Sequence, residues 1–311
     1  MKNSEHQPLV SIGVPAYNGE KYLEECLKSI KNQTYSNWEC VICNNASTDR
    51  TPTIAEKYVQ SDPRFRLFHT KELLPITDNW NFCFSKINPL SRYFKILPAD
   101  DWIFPDFISE MVGVMEKHPE VGICSSYRLV DKNVEADGLD IYQGNSFNGK
   151  EILIRQLKRG FDVTSSVNSV LCRMDSLQGL SYYPEIFQDK PVHQDTYLSY
   201  ELLIRSDLGF VFQVLSYTRR HEESVTSTVT NELRTPLYFW EFVLYRYRSI
   251  DSSLDSEYRK VRIRYAYFFL KNILLSRNEL LKWHRDRLQR PIKFKEYFQA
   301  LVRRIYFNRI P

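Results

Sequence analysis

Short β-prone segments alternate with amphipathic helical segments through the first 130 residues of the chain. Leu9–Val14 is rich in β-branched residues, and the helical spacing that follows it recurs between the later strands "WECVIC", "FRLFHT", "YFKIL" and "VGICSSYRLV". This order predicts an α/β fold with a mainly parallel central sheet flanked by helices. Beyond it, "SSVNSVLCR" and "GFVFQVLSYTRRH" predict two further strands, and "HQDTYLSYELLIRS" predicts a helix. We expect Thr77 or Asp78 to cap the helix "TDNWNFCFSKI".

Three polar clusters, "PAYNGE", "NNASTD" and "PADD", stand where predicted strands end. The carboxyl ends of parallel strands meet at one edge of a sheet, and ligands bind there. The last cluster contains adjacent carboxylates, Asp100 and Asp101, which repel each other unless a positive partner is present. A helix N-cap for "WIFPDFISEM" accounts for only one of them. The pattern therefore favours a divalent cation held by hard oxygen ligands, with a diphosphate completing its shell.

Composition excludes several other classes of protein. The 311 residues suffice for one large α/β domain or two small ones. With only 10 glycines, the chain has no GxGxxG or GxxxxGK[ST] motif and hence no glycine-rich phosphate loop. No run of 18 apolar residues predicts a membrane-spanning helix, and "MKNSEHQPLV" lacks the apolar core of a signal peptide, so we expect a cytoplasmic protein. Cys40 and Cys43 have CxxC spacing but lie on a predicted strand, which favours buried thiols over a metal or redox site.

Charge is distributed unevenly along the chain. From Arg234 to Pro311 there are 18 Lys+Arg and 7 Asp+Glu, although the net charge of the whole chain is only +4. The asymmetry predicts two parts: a catalytic domain over 1–230 and a basic, aromatic-rich helical region over 231–311. Within the first part we expect a nucleotide-binding half over about 1–130 and an acceptor half over about 131–230.

The ordered set of motifs resembles the family 2 glycosyltransferases, which have the GT-A fold, a Rossmann-like α/β fold. The likeness runs from "VSIGVPAYNGEKYLEECLKSIKNQTYSNWECVICNNASTDRT" through "ILPADDWIFPDF" to "HQDTYLSYELLIRSDLGFVFQVLSYTRRHEESVT". It covers roughly Leu9 to Thr226, and the order of the pieces is what makes it specific. The resemblance implies metal-dependent transfer of a sugar, of the hexosyltransferase type, from a nucleotide-diphosphate donor with inversion at the anomeric carbon. A UDP-sugar is favoured, and a dTDP- or GDP-sugar remains open.

The resemblance also implies which residues bind the donor. One of them, Asn45, departs from the family, which often has an acceptor-only Asp at this position, whereas Asn offers both an acceptor and donors. A second is Arg220: either it or Arg219 would neutralise the leaving diphosphate. The implied donor-binding residues are Pro15, Tyr17, Asn18, Glu20, Asn45, Asp100 and Arg220.

Metal and proton-transfer roles are implied for three further residues. Asp101 would hold Mn²⁺ or Mg²⁺, and His221 in "TRRHEESVT" would be a further ligand, although a lone His is more often structural. Asp195 matches the position of the general base, which takes the proton of the acceptor hydroxyl as that oxygen attacks the anomeric carbon. A plain helix N-cap is the alternative reading of Asp195.

The partners of the basic C-terminal region are less defined. Its segments "YFWEFVLYRYRS", "RKVRIRYAYFFLKNILL" and "FKEYFQALVRRIYF" predict amphipathic helices, whose aromatic residues pack on the catalytic domain or attach the enzyme to an anionic membrane. The acceptor would then be a saccharide or lipid-linked saccharide of a cell-surface glycan. Nucleic acid is disfavoured because the remainder of the chain is acidic. Two alternatives stay open: a non-catalytic nucleotide-sugar-binding or scaffold protein, and a nucleotidyltransferase, which should have the missing glycine-rich loop.

Overall fold

The computed structural model describes residues 7–135, 144–159, 163–164, 166–181, 193–221 and 235–307. The chain divides into two compact units. The first comprises Met1–Leu153 and Phe161–His221, and the second comprises Ile154–Gly160 and Glu222–Pro311. The boundary expected between residues 230 and 231 falls in 222–234, outside the described residues, so the proposed domain limits stay a prediction.

Ten strands of the described residues form one sheet in the first unit. Its central order is β3-β2-β1-β4-β9-β6-β10-β5, with β7 paired to β6 and β8 paired to β10. The strands are β1 (Val10–Ala16), β2 (Trp38–Asn44), β3 (Phe65–His69), β4 (Tyr93–Ile96), β5 (Trp102–Ile103), β6 (Val121–Val130), β7 (Asn133–Glu135), β8 (Ser146–Phe147), β9 (Val170–Arg173) and β10 (Asp207–Thr218).

Strand direction in the sheet is mixed. The block β3-β2-β1-β4 is parallel and so is the pair β6-β10, as the alternation predicts. Between them β9 runs antiparallel to both β4 and β6. The strand predicted from "SSVNSVLCR" is shorter than expected because Val167–Ser169 form a 3₁₀ turn before β9 begins. The carboxyl ends of β1, β2 and β4 nevertheless lie at one edge, because these three strands are parallel neighbours.

Six helices accompany the strands along the described part of this region, and α5 extends across the division between the two units. They are α1 (Leu23–Lys31), α2 (Thr51–Ser61), α3 (Ile76–Ser85), α4 (Phe107–Lys117), α5 (Gly149–Arg159) and α6 (Gln194–Arg205). The expected cap of α3 is wrong: the helix starts at Ile76 after Pro75, which has no capping side chain. Thr77 instead lies inside the first turn, where its hydroxyl contacts the Gln194 side chain at the start of α6.

The main core lies where α1 and α4 pack on the sheet. Alternate residues of β1, such as Val10, Ile12 and Val14, join Leu27 and Met111 in one buried cluster. Burial of this kind contributes roughly 1.5–3 kcal/mol for each large apolar side chain. All six cysteines are buried and unlinked, which fits the reading of Cys40 and Cys43 as small core residues.

The second unit contains four helices among its described residues after residue 234. They are α7 (Thr235–Tyr247), α8 (Leu254–Leu274), α9 (Asn278–Arg287) and α10 (Phe294–Phe307). The helical character predicted for this region is thus observed, with α9 as an addition. Within the described part of the chain, no helix combines the length and apolar character needed to cross a bilayer.

A buried arginine ties the helices of the second unit together. Arg262 on α8 is fully buried and forms ion pairs with Glu241 of α7 at 3.1 Å and Glu296 of α10 at 3.3 Å. It also donates to the backbone carbonyls of Arg290 and Pro291 in the linker before α10. Removing one partner of this buried pair would leave the other charge unpaired, a change that costs about 3–5 kcal/mol.

Two glycines give a matched test of the first unit. A Cβ on Gly149 would lie 2.0 Å from the carbonyl oxygen of Ser206 and 2.3 Å from that of Leu203, both of them backbone atoms. Gly113, inside α4, has nothing within 4 Å of such a Cβ. We expect Gly149→Ala to lower the free energy of unfolding by about 1–3 kcal/mol, and Gly113→Ala to raise it by roughly 0.5–1 kcal/mol. Urea unfolding measures both; equal effects would contradict the close packing of α5 on α6.

Candidate functional site

The loop after β1 is tied to the loop after β2. Asn18 has a left-handed backbone conformation, with φ 46°, and its side-chain oxygen accepts a hydrogen bond from the Thr48 backbone N–H at 2.9 Å. The Asn18 N–H in turn donates to the Ser47 hydroxyl at 3.0 Å. Just before this link, Pro15 is buried in β1, whereas the Tyr17 side chain is 48% exposed. Tyr17 therefore offers an open aromatic surface beside a fixed loop.

Glu20 adds further hydrogen bonds between the same two loops. Its N–H donates to Asp49 at 2.9 Å, and its carboxylate accepts from both the backbone N–H and the guanidinium of Arg50 at 3.1 Å. Gly19 donates to the Thr51 hydroxyl at 2.8 Å. The residues expected at the rim of a donor site are thus held in place by reciprocal loop contacts.

Most of the hydrogen-bonding capacity of the Asn45 side chain is used by contacts within the protein. Its side-chain oxygen accepts from the Leu74 N–H at 2.9 Å and the Thr70 hydroxyl at 3.2 Å, and its amide nitrogen donates to the Leu74 carbonyl at 2.9 Å. An Asn side chain has two donor hydrogens and two acceptor lone pairs. In this conformation one N–H is left to meet a base, so Asn45 can donate to a carbonyl but is already saturated as an acceptor.

The two adjacent carboxylates lie in the turn between β4 and β5. The short strand β5 pairs antiparallel with the end of β10, where Trp102 stacks on Tyr217 with ring centroids 3.7 Å apart and an interplanar angle of 8°. This pairing brings the end of β10, more than one hundred residues later in sequence, to Asp100 and Asp101. Stacked aromatic pairs of this type stabilise by about 0.5–1.5 kcal/mol beyond their buried area.

The segment after β10 contacts both residues of the acidic pair, through a backbone N–H, a guanidinium and an imidazole. The Arg219 N–H donates to Asp101 Oδ1 at 2.8 Å, and its side-chain Nε donates to the Asp100 carbonyl at 3.1 Å. The Arg219 guanidinium also pairs with Glu25 and lies over the ring of Tyr22. His221 Nε2 is 2.9 Å from Asp100 Oδ2. Arg220, the predicted phosphate contact, has an exposed side chain, whereas its neighbour Arg219 is partly buried against the acidic turn.

Burial places Asp101 in an unfavourable environment for a negative charge. Its side chain is only 5% exposed, and this desolvation, together with the charge of Asp100, raises its pKa. The Arg219 N–H and the charges of Lys95 and Arg128 act in the opposite direction. A further cation at this point would stabilise the ionised carboxylate.

Asp195 lies in the first turn of α6 and is not the residue that caps this helix. The residue before the helix is His193, in a left-handed conformation and without a capping side-chain bond. Burial raises the pKa of Asp195, whereas hydrogen bonds from the backbone N–H groups of Thr196 and Val167 act to lower it. The Gln194 side chain fixes the start of the helix by donating to Thr77 at 3.2 Å.

One arginine influences both Asp195 and the acidic turn. The charge of Arg128 on β6 acts to lower the pKa of both Asp101 and Asp195. Among the residues that the structure describes, however, no three His, Cys, Asp or Glu side chains are grouped closely enough to hold a metal ion by themselves. A metal at this edge would need ligands from a bound molecule as well.

Sequence reasoning overlooked some residues of this region. Arg128 and Lys95 lie on strands and therefore resemble ordinary strand positions, although Lys95 is a lysine inside the otherwise apolar segment "YFKIL". Tyr22 and Glu25 stand in "GEKYLEECLKSIKNQ", whose spacing predicts only an amphipathic helix. The signal that was available is the charge in "YFKIL", because a lysine within a buried strand requires a partner.

The chain belongs to glycosyl transferase family 2: residues 11–176 match this family. The predicted GT-A fold class and glycosyltransferase class are thereby confirmed for this domain. Among curated relatives, an uncharacterized glycosyltransferase of Rickettsia typhi is 28% identical over 251 residues, which cover 77% of this chain and 73% of the relative. One of Haemophilus influenzae is 36% identical over 126 residues, covering 40% of this chain and 38% of that protein.

Solved structures show the same fold. TarS 1-349 of S. aureus, in complex with UDP-GlcNAc, has a TM-score of 0.59 at 15% identity and covers 97% of this chain and 73% of that one. The mannosyltransferase PcManGT of Pyrobaculum calidifontis, in complex with GDP-Man and Mn²⁺, has a TM-score of 0.58 at 15% identity, covering 98% and 89%. The matched part of this chain spans less than half of the first curated relatives, 44% of one and 38% of another.

Proposed function

We propose that the protein is a metal-dependent, inverting glycosyltransferase that moves a sugar from a nucleotide-diphosphate donor to a saccharide or lipid-linked saccharide in cell-surface glycan biosynthesis. The observation that carries the proposal is the cluster of Asp100, Asp101, Arg219 and His221 at the carboxyl edge of the sheet, in a chain of this family. Acidic and basic groups meet there, as binding a metal–diphosphate unit requires.

The donor would lie across the ends of β1, β2 and β4. Tyr17 is exposed enough to pack against the base, which Pro15 would also border, with Asn18 and Glu20 at the rim. The remaining amide N–H of Asn45 can donate to a base carbonyl. Uracil and thymine have two carbonyls and guanine has one, so this contact suits all three bases. The family resemblance favours UDP, while dTDP and GDP stay open.

The residues of the acidic turn fit a divalent cation. Asp101 is a buried carboxylate whose pKa burial raises, so an added positive charge relieves its desolvation. Asp101 and His221 would hold Mn²⁺ or Mg²⁺, with Asp100 beside the ribose and donor phosphates completing the shell. When bound, the ion supplies neutralisation of the charge on the leaving diphosphate. Arg219 would add to that neutralisation. The exposed side chain of the next residue, Arg220, would also contact the diphosphate.

Asp195 would act on the acceptor. As a carboxylate it can take the proton from the acceptor hydroxyl while that oxygen attacks the anomeric carbon on the face opposite the diphosphate. Its two backbone hydrogen bonds hold the side chain in one orientation. The charge of Arg128 favours the ionised form of both Asp195 and Asp101, which supports a base and a donor site in one region of the domain.

A panel of UDP-, dTDP- and GDP-sugars with Mn²⁺ tests the proposal. We expect release of the nucleoside diphosphate from at least one donor. The release should be faster with an acceptor saccharide than without one, and EDTA should abolish it. The alternative, a non-catalytic nucleotide-sugar-binding protein, predicts donor-induced thermal stabilisation without release. No stabilisation and no release with any donor would contradict both.

We also propose that the C-terminal helices attach the enzyme to an anionic membrane surface, on the cytoplasmic face. On α10, Phe294, Phe298 and Leu301 lie at i, i+4 and i+7 and are 85%, 59% and 46% exposed. Lys293 and Lys295 are exposed beside them. An apolar stripe flanked by lysines has the chemistry of a helix lying in a lipid headgroup region, where each cation contributes roughly 1 kcal/mol.

Replacing the aromatic residues of this stripe should release the protein from vesicles. We expect Phe294→Glu/Phe298→Glu to weaken binding to vesicles of phosphatidylserine and phosphatidylcholine roughly tenfold or more, because two apolar insertions are lost. Leu90→Glu, at a position 83% exposed in the first unit, is the matched control. Flotation measures the bound fraction. Equal binding of the double variant and the control would remove α10 as the attachment surface.

A further inference from the structure

Lys95 is a buried cation that the proposed reaction does not use directly. It lies on β4 with 1% of its surface exposed, and its ammonium group lies 4.4 Å from the centroid of the Phe107 ring. Burying a lysine costs free energy unless its donors are satisfied. Here it donates to two backbone carbonyls, those of Val167 at 3.3 Å and Asn168 at 2.5 Å.

These carbonyls belong to the 3₁₀ turn Val167–Ser169, which contacts the site on its other side. The N–H of Val167 donates to the Asp195 carboxylate, while the C=O of the same residue accepts from Lys95. Lys95 therefore fixes the direction of the Val167 N–H, which is one of the two backbone groups that donate to Asp195. No sequence motif connects Lys95 with Asp195, which lies one hundred residues later.

A second contact ties the same turn to the acidic side of the site. The Asn168 side chain is fully buried, and its amide donates to the Tyr217 carbonyl at 2.7 Å and the Thr218 hydroxyl at 3.3 Å. Thr218 is followed directly by Arg219, whose N–H binds Asp101. The turn thus lies between the proposed base and the segment that contacts the acidic pair, with Lys95 beneath it.

We infer that Lys95 is a positioning residue for sugar transfer: by holding the carbonyls of Val167 and Asn168, it fixes the turn that orients Asp195 relative to the end of β10. The inference rests on the transfer reaction proposed above. Lys95 itself touches neither donor nor acceptor in this account. Burial lowers the pKa of Lys95 to about 7, and the negative charge of Asp101 acts in the opposite direction.

Lys95→Met keeps the length and apolar stem of the side chain and removes its donors. We expect kcat for transfer to fall on the order of 100-fold, the cost of a small misplacement of a reacting group, while the Kd for the donor changes less than about threefold. Lys28→Met, an exposed lysine on α1, is the matched control and should leave both quantities unchanged. A general structural defect would instead weaken donor binding together with transfer.

Hydrogen exchange gives a readout that needs no activity. In Lys95→Met the amides of residues 167–169 and 219 should exchange faster, whereas those of β1 should not change. If Lys95→Met does not fold, Asn168→Ala decides, since it removes the other anchor of the turn and should show the same loss of kcat with retained donor binding. In the double variant the two losses should be less than additive in free energy.

Each outcome decides one claim. If the wild-type protein transfers sugar and folded Lys95→Met does so within twofold, with unchanged exchange in the turn, the inference is overturned while the proposed function stands. If wild-type protein transfers no sugar, the proposed function fails, and the exchange measurement alone still tests whether Lys95 holds the turn. Fully additive losses in the double variant would also overturn it, because they would show two independent effects.

Discussion

Asp195→Asn is expected to bind the donor like the wild-type protein and to transfer sugar roughly 10²–10⁴ times more slowly, the usual contribution of a positioned general base. Asn preserves the shape of the side chain and can still accept from the N–H groups of Thr196 and Val167. It cannot take a proton from the acceptor hydroxyl. Single-turnover transfer with saturating donor and acceptor measures the effect, and calorimetry measures donor binding.

Asp175→Asn, an exposed aspartate in the same unit, is the control for this experiment. It should transfer at the wild-type rate. If Asp195→Asn also transfers at the wild-type rate, the assignment of the base is wrong. If it loses donor binding instead, Asp195 belongs to the donor site.

The same residue predicts the pH dependence of transfer. Burial is the largest effect on Asp195 and raises its pKa. Because the base acts only as a carboxylate, the rate should fall as pH drops through this raised pKa, above the ordinary aspartate value of about 3.9. A rate that stays constant down to pH 4 in the folded enzyme would contradict this assignment.

Asp101→Asn is expected to abolish the metal dependence of donor binding. The variant keeps an oxygen that can accept from the Arg219 N–H and removes the buried charge. If the metal bridge contributes about 3 kcal/mol, the Kd for the donor in Mn²⁺ should rise on the order of 100-fold, to the value that wild-type protein has in EDTA. Calorimetric titrations with Mn²⁺ and with EDTA measure both values.

Asp106→Asn is the control for Asp101, since Asp106 is an exposed carboxylate just beyond the same turn. Its donor binding should respond to Mn²⁺ as in the wild-type protein. An Asp101→Asn variant that keeps the full Mn²⁺ response would show that the ion is held elsewhere.

The order of strands was sufficient to predict which loops lie at one edge. The link from Asn18 to Thr48 connects two clusters that the sequence places at strand ends. This succeeds because parallel neighbouring strands put their carboxyl ends together whatever the side chains are. The fold class and the candidate donor edge were therefore predictable.

The contacts that aim each side chain were not predictable. Nothing in "TRRH" distinguishes Arg219 from Arg220, and only the pairing of β5 with β10 turns the first toward the acidic residues. Asn45 was expected to meet a base, yet the backbone of Leu74 occupies most of its amide. Both outcomes depend on the path of loops far away in sequence, which local pattern does not encode.

The antiparallel strand β9 is the largest departure in the sheet. A continuous strand was expected from residue 165, but the chain forms the 3₁₀ turn first and then enters between β4 and β6. Periodicity reports which residues are buried and does not report strand direction. Lys95 donates to the carbonyls of that turn, so its proposed positioning role depends on the part of the sheet that was hardest to predict.

Crystals of the full chain grown with Mn²⁺ and the donor chosen by the nucleotide-sugar panel test the central claim most directly. Anomalous scattering at the manganese edge should give a peak bonded to a carboxylate oxygen of Asp101 and to donor phosphate oxygens. A donor bound at the strand ends with its diphosphate away from Asp100 and Asp101, and no manganese peak beside them, would contradict the account.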